Sequence, residues 1–217
     1  MPTKIEFVFV GEGPTDKALI PHIESLCIKY GADEVRGIAP DLSWFPEKVG
    51  KKVSDQVRVA LQLEPRVDAV FIHRDSDSRD PSDRKSEIES ELVKIGVDKP
   101  CVKVIPIQEI EAWLLVDEQA IRDVADNPRG GVPVCIPKLK DIENTASPKE
   151  VLMKAIQEAS DTSGKRLRDI KRSFGSRRRI LIERLDINGP ICNLESWKTL
   201  ESDISTLVNG LVGTNQA

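Results

Sequence analysis

Residues 4–16, KIEFVFVGEGPTD, decide the architecture. Between Lys4 and Val10, β-branched and aromatic residues crowd a short apolar run, as in a buried strand, and Gly11 ends it. Gly11-Glu12-Gly13-Pro14 makes a tight turn. Thr15 is then placed to cap a helix and Asp16 to sit in its first turn, with Ala18, Leu19, Ile23, Leu26 and Cys27 on the apolar face.

The same rhythm returns along the chain. Residues 34–39 read as a short strand, and residues 49–63 as a helix whose apolar positions are Val53, Val57, Ala60 and Leu61. The stretch VDAVFIH, residues 67–73, is a second strong strand and runs directly into Arg74-Asp75-Ser76-Asp77. A polar helix is expected over 82–95 and a fourth strand over 101–107 (CVKVIPI). Strands alternating with helices predict an α/β fold, a mainly parallel four-stranded Rossmann-like sheet flanked by helices. After Glu109 the pattern turns helical: residues 111–124, a Pro/Gly-rich link over 127–137, then 148–159, 165–174, 176–185 and 194–208. The expected organisation is a core over residues 1–125 and a helical C-terminal extension over 126–217 packed on it.

Cys27, Cys101, Cys135 and Cys192 are scattered and form no C-x-x-C pair, which argues against a zinc cluster or a disulfide framework and for reduced thiols. Met1 leads straight into the first strand without a signal-like segment, and no stretch approaches the roughly 20 apolar residues of a membrane helix. A cytoplasmic location without membrane attachment is expected. The net charge of -4 conceals an uneven distribution, because residues 165–184 hold nine Lys or Arg against Asp169 and Glu183.

Functional groups in an open parallel sheet gather at the carboxyl ends of the strands, where Glu12 and the pair Asp75 and Asp77 fall. Residues i and i+2 of an extended chain point to one side, so Asp75 and Asp77 can address one point. If the first and third strands are neighbours, Glu12 completes a three-carboxylate cluster. Two like charges about 4 Å apart repel by roughly 4 kcal/mol at an effective dielectric near 20, a cost that a cation removes. An all-oxygen donor set favours Mg²⁺ or Mn²⁺ over zinc and links the site to phosphoryl chemistry.

FVFVGEGPTD and VFIHRDSDS resemble the two signatures of the Toprim domain of primases, topoisomerases and OLD-type nucleases. IQEIEAWLLVD (107–117), SPKEVL (147–152) and the closing stretch ERLDINGPICNLESWKTL resemble a bacterial Toprim-related family, domain of unknown function 4276, across most of the chain. The resemblance implies a Toprim-like core, metal roles for Glu12, Asp75 and Asp77, and a nuclease subunit of a bacterial defence or repair system. Glu109 and Glu111 are candidates for a second metal site of the OLD type. On a helix they would stand about 200° apart, so only one could face the site.

Lys149 and Lys138 are candidates to neutralise a transition-state phosphate, and Arg74 to orient a carboxylate or touch phosphate. The basic run supplies Lys165, Arg166, Arg168, Lys171, Arg172, Arg177, Arg178 and Arg179 as nucleic-acid contacts, weighed against amphipathic helices with solvated charged faces. His73 reads as a hydrogen-bonded core residue and Trp113 as core packing. A topoisomerase would need a tyrosine nucleophile, and Tyr30 ends the first helix, away from the expected cluster. A primase would need further elements for nucleotides and template. Metal-dependent phosphodiester hydrolysis of DNA or RNA is the leading expectation; the alternative is a non-catalytic Toprim-fold interaction subunit of a larger assembly. No G-x-x-x-x-G-K-[ST] is present, so an OLD/AAA-type ATPase partner is expected to be a separate protein.

Overall fold

The computed structural model describes residues 2–214. Strands β1 (Lys4–Val10), β2 (Glu34–Ile38), β3 (Ala69–His73) and β4 (Cys101–Val104) form a wholly parallel sheet in the order β2-β1-β3-β4. The expected four-stranded α/β architecture is the one observed. β4 stops at Val104, short of residue 107, because Pro106 has no N–H to give to a ladder. Among the described residues no helix is long and apolar enough to cross a membrane.

Contacts divide the chain into two compact units. One comprises the chain through Arg74, Pro81–Ile105 and the chain from Lys198; the other comprises Asp75–Asp80 and Pro106–Trp197. The helices that follow Glu109 pack against later helices of the second unit.

In the first unit the sheet is flanked by α1 (Ile20–Lys29), α2 (Val53–Leu63) and α3 (Ser82–Ile95). Stepping from β1 to β2 and then back across β1 to β3 puts α1 and α2 on opposite faces when both crossovers are right-handed, and the reversal lies between β1 and β3. Val8, Val10, Val70 and Ile72 form one core with Val53, Val57, Ala60 and Ile88. Alternation turns Phe7 to the other face, where a Cβ on Gly37 would lie 2.5 Å from both Phe7 Cζ and Ile20 Cγ2; only glycine lets β2 and α1 approach there. With both faces covered, β1 and β3 read as continuous apolar runs rather than alternating ones.

A polar network joins α2 to α3. Lys94 pairs with the Glu91 carboxylate and the Ser54 hydroxyl donates to it, and together they pull its pKa from an ordinary 4.5 down to about 2. A depressed carboxyl stabilises the fold above its unfolded pKa and loses that contribution as pH falls through the folded value. The melting-temperature advantage of the native chain over Glu91→Gln is therefore expected to be greatest near neutral pH. It should shrink as pH falls from about 4.5 toward about 2, and thermal melts across that range check it.

The second unit is helical: α4 (Glu111–Leu114), α5 (Glu118–Val124), α6 (Pro148–Ser160), α7 (Gly164–Arg172) and α8 (Phe174–Glu183). The continuous helix expected over 111–124 is broken because Asp117 leaves helical geometry and its side chain accepts a hydrogen bond from Ala120 N at 3.0 Å, capping α5. Trp113 is fully buried, edge-on to Trp197 at 5.0 Å, and its Nε1 donates to Ser196 Oγ at 2.8 Å. The Glu143 carboxylate accepts from Glu195 N and Ser196 N, both at 2.9 Å, where α9 (Glu195–Thr214) begins.

Candidate functional site

The turn after β1 is organised by a buried carboxylate. Asp16 is 2 % exposed, and its Oδ2 accepts from Glu12 N at 3.0 Å and Gly13 N at 2.7 Å. The same oxygen lies 3.1 Å from His73 Nδ1, an arrangement satisfied by the tautomer that carries its proton there. The helix start expected here is different: Thr15 forms no side-chain cap, and Asp16 turns inward through a short 3₁₀ turn, Asp16–Leu19, that precedes α1. A Cβ on Gly11 would come within 3.0 Å of Asp16 Cβ and 3.1 Å of Phe9 Cε1, so the turn closes as tightly as glycine allows. Glu12, two residues past β1, is exposed on this pinned loop.

His73 is the last residue of β3 and is 1 % exposed, a hydrogen-bonded core residue. Arg74 follows it and is also buried. Its Nη1 donates to His73 O at 2.6 Å and its Nη2 to Gln56 Oε1. Burial pulls this guanidinium below its ordinary pKa, and the Glu12 carboxylate opposes the shift. Arg74 is thus a buried cation anchored on His73 O and Gln56, with the charge of Glu12 acting on it.

In the second unit, Asp75 is half-buried and its Oδ1 accepts from Ile110 N at 2.8 Å. The backbone does not continue as an extended strand. Asp77 has φ 54° and Gln108 φ 62°, both left-handed, and Asp77 N donates to Gln108 O at 2.9 Å. The Ser76 hydroxyl accepts from Gln108 N at 2.7 Å and donates to Ser78 O at 2.6 Å. Asp75 and Asp77 therefore do not lie on one side of an extended chain as expected; Asp77 is exposed on a turn.

Glu109 lies outside α4, and its Oε2 accepts from the backbone N of Lys149 at 2.9 Å, at the positive N-terminal end of α6. Glu111 is 2 % exposed and its Oε1 is 2.7 Å from Arg178 Nε. Each of these acids has a structural partner that competes with metal ligation. The side chain of Lys149 is exposed, as is Lys138.

The basic run separates into two groups. Lys165, Arg166, Arg168, Lys171, Arg172 and Arg179 are exposed, on α7 and α8. Arg177 turns inward to Val124 O and Asp126, the latter at 2.8 Å, and Arg178 to Glu111. Arg166 and Arg177 line a cavity of about 360 Å³ together with Asp126, Asp161 and Asp169, so acids interrupt the positive surface there.

Among the described residues, no group of three or more His, Cys, Asp or Glu side chains is gathered to hold a metal ion. The residues that local reading missed are Asp16, which pins the Glu12 turn, Ser76 and Gln108, which shape the turn at Asp77, and Gln56, which accepts from Arg74; the one sequence cue was an Asp four residues after Glu12. No protein-family model, no curated protein and no solved structure matches this chain.

Proposed function

We propose that the protein is a Mg²⁺- or Mn²⁺-dependent nuclease of the Toprim type, hydrolysing phosphodiester bonds in DNA or RNA, with Glu12, Asp75 and Asp77 as the metal-holding acids. The observation that carries this reading is topological. Glu12 follows the last residue of β1 by two positions, Asp75 follows the last residue of β3 by two, and these strands are parallel neighbours at the sheet's reversal. Further support comes from the left-handed backbone of Asp77 and Gln108, since strain of order 1–3 kcal/mol per residue gathers at functional sites.

The donors are all carboxylates, which suits a hard cation. Bound by them, the cation would supply Lewis-acid polarisation of a phosphoryl oxygen and a water of lowered pKa. The chain's own part is positioning. Asp16 holds the Glu12 loop through two amides, and Ile110 N–H orients one oxygen of Asp75. The exposed cations of α7 and α8 offer contacts to the nucleic-acid backbone, and Lys149 a charge for the reacting phosphate. Glu109 and Glu111 stay with Lys149 N–H and Arg178 in this reading. A separate OLD/AAA-type ATPase would control the activity in a bacterial defence or repair system.

One observation favours a second reading, a non-catalytic interaction subunit of Toprim fold: the described residues hold no gathered group of three ligands. Incubating the protein with plasmid, single-stranded DNA and RNA, in Mg²⁺, Mn²⁺ or chelator, separates the two. Cleavage that needs the cation and disappears in Glu12→Gln and Asp75→Asn supports the enzyme; its absence under every condition supports the interaction subunit.

A further inference from the structure

The segment between β2 and α2 carries a feature that the acidic turns do not use. Trp44 ends a 3₁₀ turn, Leu42–Trp44, and is 81 % exposed, whereas Trp113 and Trp197 are fully buried. A single exposed apolar side chain is ordinary on a protein surface. What distinguishes Trp44 is the segment that carries it.

Leu42 lines two cavities. One, of about 340 Å³, is walled by Phe9, Val10, Pro14, Pro40 and Lys17, with Gly11 and Gly13 of the Glu12 loop at its edge. The other, of about 520 Å³, is bordered by Phe45, Lys48 and Lys51. Lys17, Lys48, Lys51 and Lys52 are exposed, against two exposed acids of the segment, Asp41 and Glu47. Asp41 is already committed to the turn, since it accepts a hydrogen bond from Ser43 N at 2.9 Å. An exposed indole carried on the same short segment as solvated lysines and partly apolar hollows is a combination suited to single strands: cations take phosphates, and the ring takes a base without regard to sequence.

We propose that residues 39–52 form a stacking platform for single-stranded nucleic acid, with Trp44 receiving one base, the lysines the adjoining phosphates, and the hollow beside the Glu12 loop a neighbouring nucleoside. The proposal rests on the reading of the chain as acting on nucleic acid, and gives it a substrate class, an unpaired strand. Base stacking on an exposed indole also explains why an aromatic ring that would otherwise gain from burial is held out by a capped turn.

The test is oligothymidylate binding in chelator, where cleavage plays no part. Titration should quench the accessible fluorescence, which Trp44 supplies. A labelled oligonucleotide should bind Trp44→Ala about tenfold more weakly than the native chain, with Trp44→Phe between them. Replacing Lys48, Lys51 and Lys52 together with Ala should flatten the salt dependence, by about 0.7 in log–log slope per lysine. Trp44 is exposed, so these variants should keep the native circular dichroism. Unchanged affinity in Trp44→Ala, or no binding by the native chain, overturns the platform. So does fluorescence that follows protein concentration instead of oligonucleotide, the mark of an interface between copies of this chain. Binding through Trp44 without any metal-dependent cleavage keeps the platform and removes the nuclease reading. Cleavage lost in Glu12→Gln with binding unaltered in Trp44→Ala does the reverse.

Discussion

Replacing Asp16 with Ala is expected to cost about 3–5 kcal/mol of folding stability, the largest loss from any single polar substitution near the Glu12 turn. Three donors converge on one oxygen of this nearly inaccessible carboxylate: Glu12 N, Gly13 N and His73 Nδ1. Each buried donor left without its acceptor costs about 1–3 kcal/mol, partly recovered where water reaches the turn. In a chain of this size about 2–4 °C of melting temperature accompanies each kcal/mol, so a drop near 10 °C should be seen. Asp16→Asn keeps one acceptor oxygen and should lose less than half as much. Urea denaturation of the three proteins measures both values. A loss below about 0.5 kcal/mol in the Ala variant would mean that the turn does not depend on this carboxylate.

Glu12→Gln and Asp75→Asn are each expected to reduce metal-dependent cleavage by at least about a hundredfold while leaving stability nearly unchanged. A metal's charge stabilisation in phosphoryl transfer amounts to several kcal/mol, and each 1.4 kcal/mol is about a factor of ten in rate. Glu12 is exposed, and the carbonyl of an Asn at position 75 can still accept from Ile110 N. Activity and folding should therefore come apart in these variants. Initial rates on a plasmid substrate, read beside thermal melts, test the separation. If cleavage and melting temperature fall together, the two acids are structural.

The strands were legible because β-branched and aromatic residues concentrate where both faces of a parallel sheet are covered, and β1 and α3 have the bounds read from composition. Local cues failed where a side chain answers to a distant partner. Asp16 suits a helix's first turn, yet His73, 57 positions away, draws it inside. Asp117 lies in an apolar pattern that favours an unbroken helix, and its cap on Ala120 N outweighs that pattern. Asp77 follows a strand and reads as extended, but Gln108 and Ser76 bend the backbone into a left-handed turn. Composition alone does not divide the basic run into the exposed cations of α7 and the inward arginines 177 and 178, since that depends on Asp126 and Glu111. Glu109 and Glu111 read as candidate ligands of a second metal site, and local sequence gives no sign of their partners, the N-terminus of α6 and Arg178.

The central proposal is that Glu12, Asp75 and Asp77 together hold a divalent cation, and titration of Mn²⁺ into the protein, followed by the loss of free Mn²⁺ paramagnetic resonance signal, tests it most directly. Saturable binding to the native chain is expected, weakened at least about tenfold in Glu12→Gln, Asp75→Asn and Asp77→Asn alike, because each removes one charged ligand from one site. Equal Mn²⁺ affinity in all four proteins, or no binding to the native chain, would contradict it.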